Sequence, residues 1–418
     1  MGTAISGFSY RSRELFADRA PLRRLAREFG TPLYVYSARM LRENYLAIGK
    51  AFRSLPHLVC YALKANPNLS VLRILSGMGC GGDIVSGGEL HRALLAGIPP
   101  ERIVFAGVGK QDDEIEQALR RRILMLNVES AFELQHIYKL ARRLKRIAPV
   151  SLRVNPDIDP GTHPYISTGL KKHKFGVSMN AARELYRLAA QLKHVEVKGI
   201  HMHLGSQISR PAPFVDALSR VLELVDEMAG EGIEIRYLDM GGGMGIPYRS
   251  REEELAPSAL ARAVRPLLAK RDLTLILEPG RAIVGNAGIL VTRVLHCKKA
   301  GNREFIVVDA GMNDLIRPSL YDAYHKIVPV ARNRRGVITA DVVGPVCETG
   351  DFLARGRRMV RPEPGDLLAV LGAGAYGWSM SSNYNSRPRA AEVLVDGSRA
   401  LLAGRRETYR DMLKREIV

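Results

Sequence analysis

The sequence is poor in cysteine and has no long apolar run, and both absences narrow the class of protein. The 418 residues include four cysteines, at positions 60, 80, 297 and 347, and no Cys-x-x-Cys pair. Cysteines so far apart predict neither a disulfide framework nor a zinc knuckle, and they fit a reducing compartment. No apolar run approaches the roughly 20 residues that a membrane-spanning helix needs, and the N-terminus has no signal-peptide hydrophobic core. We therefore expect a cytoplasmic protein without a membrane partner.

Acidic residues are scarce relative to basic ones. The chain has 62 lysines and arginines against 43 aspartates and glutamates, which gives a formal net charge of +19. A surplus of this size can indicate nucleic-acid binding. The basic residues are, however, scattered in short clusters such as 120–122 and 355–358, without a basic tail or a recognition motif. We expect a basic solvated surface that attracts anionic ligands, and no nucleic-acid partner.

Short apolar runs alternate with segments of helical periodicity through the middle of the chain. The eight runs are 58–63, 82–85, 103–106, 123–128, 150–154, 197–204, 233–240 and 273–277. Strands that alternate with helices form parallel sheets joined by crossover helices. Eight such units favour a closed (β/α)8 TIM barrel over an open doubly wound sheet. The predicted fold class is α/β, with the barrel over residues 32–282.

The pattern changes after residue 282, where strand-like runs recur without long helices. The runs are 289–294, 305–308, 326–330, 337–343, 367–370 and 391–395, with turns rich in glycine and proline between them. A chain of this length exceeds what one compact core usually supports. We therefore predict a second, mostly antiparallel β domain over residues 283–418, and we assign residues 1–31 to it.

Polar residues and glycines follow the eight runs, at the strand ends where barrel chemistry occurs. They are Lys64, Asp83 with Ser86, Gly107, Asn127, Arg153 with Asn155, His203 with Ser206, Gly241 to Gly243, and Glu278 with Arg281. A charged amine is costly inside a strand, but Lys64 stands at a strand tip. We interpret Lys64 as a nucleophile that holds a carbonyl cofactor as a Schiff base. The alternative is a surface lysine that ends a strand.

Two loops late in the barrel suit a phosphorylated pyridine ring. The glycines at 241–243 let backbone N–H groups approach an anion, where barrels commonly bind phosphate. Glu278 can keep a pyridine nitrogen protonated, which makes the ring a stronger electron acceptor. Arg281 can grip a phosphate or a carboxylate. The alternatives are a plain turn and a structural ion pair.

His201 and His203 have the spacing of two residues on one strand face, which can ligate a metal. No third-ligand pattern accompanies them, and we predict no metal site. The alternative is an imidazole stacked on a flat cofactor ring, with Ser206 at its phosphate.

Polar residues of the predicted β domain can complete a site. Arg317, Tyr321 and Glu348 can grip a zwitterionic substrate with a charged far end, and Tyr376 can reach a cofactor. Cys347 can deliver a proton, although a small buried residue is the commoner role of cysteine.

Taken together, these motifs resemble those of the diaminopimelate decarboxylase family, pyridoxal-phosphate enzymes of the alanine-racemase-like barrel class. The resemblance covers about residues 31 to 388. It rests on Tyr61 to Asn66, Asp83 to Glu89, Gly161 to Tyr165, His203 to Gln207, Gly241 to Gly243, Glu278 to Arg281, Arg317 to Tyr321 with His325, Cys347-Glu348 and Gly374 to Gly377. Thr349 and Met244 depart from the usual family residues, and neither departure removes a group that the chemistry needs.

The resemblance implies a cofactor, a reaction and roles for particular residues. The cofactor is pyridoxal 5'-phosphate, and the reaction is decarboxylation of meso-2,6-diaminopimelate to L-lysine, the last step of lysine biosynthesis. The implied cofactor-binding residues are Lys64, Asp83, His203, Ser206, Gly242, Gly243, Glu278, Gly280, Arg281 and Tyr376. The implied substrate-binding residues are Arg281, Arg317, Tyr321, Glu348 and Tyr376, and the implied catalytic residues are Lys64, His203 and Cys347. The resemblance also implies a homodimer with shared active sites.

Two other functions remain open at the level of sequence. One is decarboxylation of another basic amino acid, namely ornithine, lysine or arginine. Such an enzyme would want acidic residues at the far end of the substrate, whereas the second carboxylate and amine of diaminopimelate suit Arg317 with Glu348. The other is a barrel that carries the cofactor without catalysis, which would not need Cys347 and Glu348.

Overall fold

The structure is a computed structural model that describes residues 7–159, 174–249, 252 and 254–417. It divides into two compact units. The barrel unit comprises Asn44–Ile246 and Glu253–Ala282, and the β unit comprises Met1–Glu43, Pro247–Glu252 and Ile283–Val418. Within the described ranges, no helix is both long enough and apolar enough to cross a membrane.

Six elements precede the barrel strands. They are β1 (Phe8–Arg11), β2 (Glu14–Ala17), β3 (Ala20–Pro21), α1 (Leu22–Phe29), β4 (Leu33–Ser37) and α2 (Ala38–Phe52). Strands β1 to β3 form a small antiparallel sheet.

The barrel unit contains a closed ring of parallel strands. Its strands are β5 (His57–Ala62), β6 (Gly81–Ile84), β7 (Ile103–Phe105), β8 (Met125–Val128), β9 (Ala148–Asn155), β10 (Val177–Ser178), β11 (Val195–His201), β12 (Tyr237–Asp239) and β13 (Thr274–Leu277). The ring runs β5-β6-β7-β8-β9-β11-β12-β13 and closes because β13 pairs with β5, while the short β10 pairs only with β9. The predicted eight-stranded barrel is confirmed.

Helices follow most of these strands and return the chain to the opposite end of the barrel. They are α3 (Leu69–Ser76), α4 (Gly87–Leu95), α5 (Asp112–Arg121), α6 (Ala131–Arg143), α7 (Met179–Gln191), α8 (Ala212–Gly230), α9 (Pro257–Leu268) and α10 (Arg281–Val284). Ser86 and Ser130 accept N–H bonds from Glu89 and Glu133 at the starts of α4 and α6, over 3.2 and 3.1 Å. Because such caps fix where a helix begins, they also fix the turn that follows each strand.

The β unit holds a second, mostly antiparallel sheet, as predicted. Its elements after the barrel are β14 (Gly288–Ala300), β15 (Arg303–Val308), α11 (Arg317–Tyr321), β16 (Ile327–Pro329), β17 (Val337–Val343), β18 (Phe352–Val360), β19 (Leu367–Val370), β20 (Ala391–Asp396), β21 (Arg399–Gly404) and α12 (Tyr409–Leu413). The strand order is β18-β17-β15-β14-β4-β20-β21, and β19 pairs with β14 and β16.

Strand β4 belongs to this second sheet. It pairs with β14 antiparallel and with β20 parallel, and all five of its residues are buried. The boundary predicted at residue 32 therefore assigns to the barrel a strand whose backbone hydrogen bonds lie in the β unit. An apolar run shows that a strand is buried but does not reveal its partners, which is why the sequence misplaced this one.

Candidate active site

Lys64 and Asp83 form an ion pair where two neighbouring barrel strands end. Lys64 lies in a 3₁₀ turn, Leu63–Ala65, directly after β5, and Asp83 lies in β6. The Lys64 Nζ is 2.6 Å from Asp83 Oδ2. The lysine side chain is 35% exposed and the aspartate side chain is fully buried. The amine therefore combines access from outside with a fixed acidic partner.

The environment of Asp83 shifts its titration toward neutrality. Burial is the largest cause, the charge of Glu278 adds to it and Lys64 opposes it, and together they raise the pKa of Asp83 to about 7. Its Oδ1 has no hydrogen-bond partner among the described residues. Asp83 can therefore accept or release a proton beside the amine near neutral pH.

A cluster of three buried side chains, two of them carboxylic acids, lies where β11, β12 and β13 end. His201, Asp239 and Glu278 are buried, and each offers a ligand atom within 4.8 Å of the others. The His201 Nε2 is 3.4 Å from Glu278 Oε2, and Asp239 Oδ1 accepts the Gly241 N–H over 2.8 Å. The sequence shows no third-ligand pattern beside His201 and His203, but Asp239 and Glu278 lie beside His201 in space. The prediction of no metal itself stays a prediction.

Asp239 and Glu278 have opposite titration behaviour. Burial raises the pKa of Asp239 well above its usual range, and the charge of Glu278 raises it further. Burial also pushes the pKa of Glu278 upward, but the interactions with His201 and Lys64 outweigh it and lower that pKa. We therefore describe Glu278 as ionised and Asp239 as the group that holds a proton. The Oε1 of Glu278 receives no hydrogen bond from a nitrogen or hydroxyl donor within the described ranges.

His203 follows β11 and is held as a neutral ring. Its Nδ1 accepts the N–H of Gly242 over 3.2 Å, which leaves Nε2 as the protonated nitrogen. Burial, followed by the positive charges of Arg153 and Lys64, lowers the pKa of His203 well below its usual value. A neutral, oriented imidazole is suited to lie flat against an aromatic ring.

The glycine run 241–243 makes close contacts that a side chain would prevent. Gly241 and Gly243 have φ angles of +68° and +100°, a region that favours glycine. A Cβ on Gly242 would lie 2.2 Å from the Glu278 carbonyl oxygen. A Cβ on Gly280 would lie 2.9 Å from the Ala65 Cβ, so glycine also lets the Glu278 loop approach the turn that carries Lys64.

Arg281 and Ser206 contribute polar groups to the same end of the barrel. The buried Arg281 donates from Nη2 to the Ser206 Oγ over 3.2 Å. A guanidinium, a hydroxyl and a glycine-rich backbone together make a site for a phosphate group.

Known proteins resemble this chain both in sequence and in structure. The model of the pyridoxal-dependent decarboxylase family, pyridoxal-binding domain, matches residues 38–285. Diaminopimelate decarboxylase of Pseudomonas aeruginosa is 53% identical over 97% of this chain and 97% of its own, and that of Aquifex aeolicus is 51% identical over 96% and 95%. The crystal structure of Helicobacter pylori diaminopimelate decarboxylase with L-lysine superposes with a TM-score of 0.91, at 43% identity over 94% of this chain and 98% of its own.

This chain belongs to the diaminopimelate decarboxylase family. Its cofactor is accordingly pyridoxal phosphate, and the barrel residues fit that group. The buried Oε1 of Glu278, to which no described nitrogen or alcohol hydroxyl donates, can accept a hydrogen bond from a protonated pyridine nitrogen. The glycine run and Arg281 can donate hydrogen bonds to the phosphate, and the amine of Lys64 can bond to the aldehyde.

In this member of the family, the remaining predicted site residues lie in the β unit. Arg317 opens α11 and is buried, and its Nη1 is 3.0 Å from both the Tyr248 Oη and the His325 Nε2. Tyr321 closes the same helix, and Tyr376 has a φ of +55°. Their roles stay predictions, and the motif at 161–165 lies outside the described residues.

Cys347 and Glu348 lie in a surface loop of the β unit. Both are exposed, and the Cys347 N–H donates to Asn385 Oδ1 over 2.9 Å. A hydrogen bond between the Glu348 carboxylate and Tyr384 raises the pKa of that tyrosine.

Sequence reasoning missed a network around Glu129 that supports the barrel end of this family member. Glu129 accepts hydrogen bonds from Arg153, Gly107 and Gly176, each over 3.0 Å. It thereby ties together segments near β7, β9 and β10. The sequence did contain a signal for Glu129. It directly follows the fourth apolar run, as the selected polar residues follow theirs.

Asp239 was missed for a different reason. It lies inside the seventh apolar run, where a carboxylate gives no sign that it will face Glu278. Its position two residues before the glycine run was the available signal.

Proposed function

We propose that this chain is a diaminopimelate decarboxylase that converts meso-2,6-diaminopimelate to L-lysine and CO2 in the cytoplasm. The observation that carries the proposal is the buried acidic group around Glu278 at the same barrel end as the Lys64–Asp83 pair. Relatives that are about half identical along nearly the whole chain bear the same name.

The barrel residues hold the cofactor and control its protons. When bound, pyridoxal phosphate supplies an electron-poor ring that accepts the bonding pair of the departing carboxylate. Lys64 would hold the aldehyde carbon, and Asp83 takes or gives a proton at the Lys64 Nζ. Glu278 would keep the ring nitrogen protonated, a charge arrangement that favours the transition state over the ground state. His203 would support the ring.

The phosphate is held at a separate set of groups. The residues that would hold it are Ser206, Gly242, Gly243, Gly280, Arg281 and Tyr376. Arg281 also reaches the substrate, and the neutral His203 adds no charge that would compete with the ring nitrogen.

The β-unit residues recognise the substrate and deliver a proton. Arg317, Tyr321 and Tyr376 contact the substrate, and the Arg317–Glu348 combination matches a far end that carries both a carboxylate and an amine. Cys347 donates its thiol proton to the substrate carbon from which CO2 has left. We further propose a homodimer in which Cys347 and Glu348 complete the site of the second copy, which fits their exposure in one chain.

One assay tests the proposed reaction. The holoenzyme is supplied in turn with meso-diaminopimelate, lysine, ornithine and arginine, and both CO2 release and product identity are measured. We expect CO2 and L-lysine from diaminopimelate, at a kcat/KM at least about a thousandfold above that for the other three. A faster reaction with ornithine, lysine or arginine would contradict the proposal.

A further inference from the structure

A surface cavity of about 530 Å³ lies between α2 and α9 in the barrel unit. Its walls are the last turns of α2, the loop after it and the first turns of α9. Eleven of the described residues line it, and among these four are basic and none is acidic. The basic residues are Lys50, Arg53, Arg262 and Arg265, and all four are exposed. We call this cavity the α2–α9 groove.

No described residue neutralises the four positive charges. Across the part of the chain that the structure describes, none of these side chains forms an ion pair, a hydrogen bond or a contact with an aromatic ring. Two of them have a local explanation, since Lys50 lies in the last turn of α2 and Arg265 in the last turn of α9, where a cation favours the helix dipole. Arg262, in the middle of α9, does not.

Arginines on other helices of the barrel unit differ among themselves. Arg183 pairs with Glu227 at 2.7 Å, and Arg187 pairs with Glu231 at 2.6 Å, whereas Arg142 on α6 has no side-chain partner among the described residues. The groove is distinguished by the four cations that surround one concavity. Gathering uncompensated cations around one concavity costs free energy through repulsion, and a bound anion relieves that cost.

The other polar groups of the groove are donors as well. Ser54 and Ser258 contribute hydroxyl groups. Helix α9 begins at the groove without a side-chain cap and without an acidic residue in its first turn. The first turn of α9 therefore supplies no carboxylate to its positive end, which favours an anion there.

The floor between these groups is apolar. Ala47, Ala51, Leu55, Pro257 and Ala261 line it, and their small side chains leave room for a ring or a short carbon skeleton. A volume of about 530 Å³ is within the roughly 300–1,000 Å³ typical of small-molecule sites. Planar guanidinium groups bind phosphate oxygens in pairs, which makes phosphate the preferred anion for three arginines.

We propose that the α2–α9 groove binds a small phosphorylated molecule. Its phosphate groups contact Arg53, Arg262 and Arg265, and the rest of the molecule lies on the apolar floor. This site is separate from the strand ends that hold the cofactor, and it does not depend on the identity of the amino-acid substrate.

Calorimetric titration of the holoenzyme tests the proposal with ATP, sodium triphosphate and adenosine as probes. The bound cofactor keeps the phosphate site at the strand ends filled. We expect saturable binding of ATP at one site per chain, and none of adenosine. Tighter binding of ATP than of triphosphate identifies a phosphate ester as the ligand class, whereas equal binding identifies free polyphosphate.

A matched pair of variants decides whether the binding is local. The groove variant combines Arg53→Gln, Arg262→Gln and Arg265→Gln. The control combines Arg23→Gln, Arg27→Gln and Arg293→Gln at a cavity of about 520 Å³ in the β unit, whose lining includes the acidic Asp366. The two variants lose the same charge, and both are checked for normal CO2 release.

The groove variant should weaken ATP binding at least about tenfold, and the control should bind as the unmodified enzyme does. The single substitution Arg262→Gln, on an exposed helix surface, should weaken binding about threefold and serves if the triple variant does not fold. Equal weakening in both triple variants would show diffuse attraction to a basic surface and overturn the proposal. Absence of saturable binding at millimolar ATP would overturn it too.

Discussion

The two sets of candidate site residues lie in opposite environments. In the barrel unit, Asp83, Asp239 and Glu278 are at most 4% exposed, and burial and mutual charge shift their pKa values. In the β unit, Cys347 and Glu348 are open to solvent. The electrostatics of the barrel end are therefore established by folding, whereas Cys347 and Glu348 acquire a defined environment only when something covers them. Substitutions in the two units should separate these two kinds of group by their effects on the cofactor, on turnover and on stability.

Removal of the reactive amine should have the largest effect. Lys64→Ala should lose the visible absorption of the bound cofactor and reduce the rate of CO2 release at least about ten-thousandfold, since no other group can replace the nucleophile. The control is Lys139→Ala, at an exposed lysine on α6. Near-normal turnover by Lys64→Ala would end the mechanism.

Removal of a buried structural amine should act on stability. The Lys110 side chain is 1% exposed, and its Nζ donates to Gly107 O, Asn127 O and Glu133 Oε1 over 2.7, 2.7 and 2.6 Å. Lys110→Met leaves these acceptors without their donor, and the substitution should lower the free energy of unfolding by about 3–5 kcal/mol. Lys139→Met should change it by less than about 0.5 kcal/mol. Equal thermal melting of the two variants would show that the Lys110 network does not stabilise the barrel end.

The exposed thiol should matter for turnover and not for cofactor binding. Cys347→Ala should keep the cofactor spectrum and lower kcat about a hundredfold, because the proton donor is lost. Cys297→Ala removes another exposed thiol of the β unit and should leave kcat unchanged. An unchanged kcat in Cys347→Ala would remove its assigned role.

The smallest expected effect is a pH trend. The pKa of Asp83 is raised to about 7 in the folded protein, so between about pH 4 and 7 the folded state keeps a proton that the unfolded chain releases. This group therefore favours the folded state at low pH, and the advantage is lost as pH rises toward 7. Across that range, the melting temperature of cofactor-free Asp83→Asn should rise by a few degrees relative to wild type and then level off. A constant difference from pH 4 to pH 8 would contradict the shifted pKa.

Much of the fold followed from local patterns. The alternation of apolar runs with helical segments predicted the barrel, because parallel strands need crossover helices and short apolar runs are typical of buried strands. Lys64, Asp83 and Glu278 could be selected because parallel strands deliver their C-terminal ends to one side of a barrel. Both predictions depend on patterns among residues that are close together along the chain.

The features that the sequence could not predict depend on contacts between segments that are far apart along the chain. Strand β4 has the same apolar pattern as a barrel strand, and only its pairing with β14 and β20 assigns it to the β unit. The protonation of Asp239 depends on Glu278, which is far along the chain. The α2–α9 groove depends on which residues line one cavity, and none of its described lining residues is acidic. Spacing along the sequence does not encode that composition.

The central claim is that the Lys64 amine holds the cofactor at the end of the barrel. Reduction of the holoenzyme with borohydride, followed by peptide mass mapping, tests it directly. A pyridoxyl adduct on Lys64, and an unmodified Lys110 and Lys139, is the expected result. An adduct on any other lysine, with Lys64 unmodified, would contradict the claim.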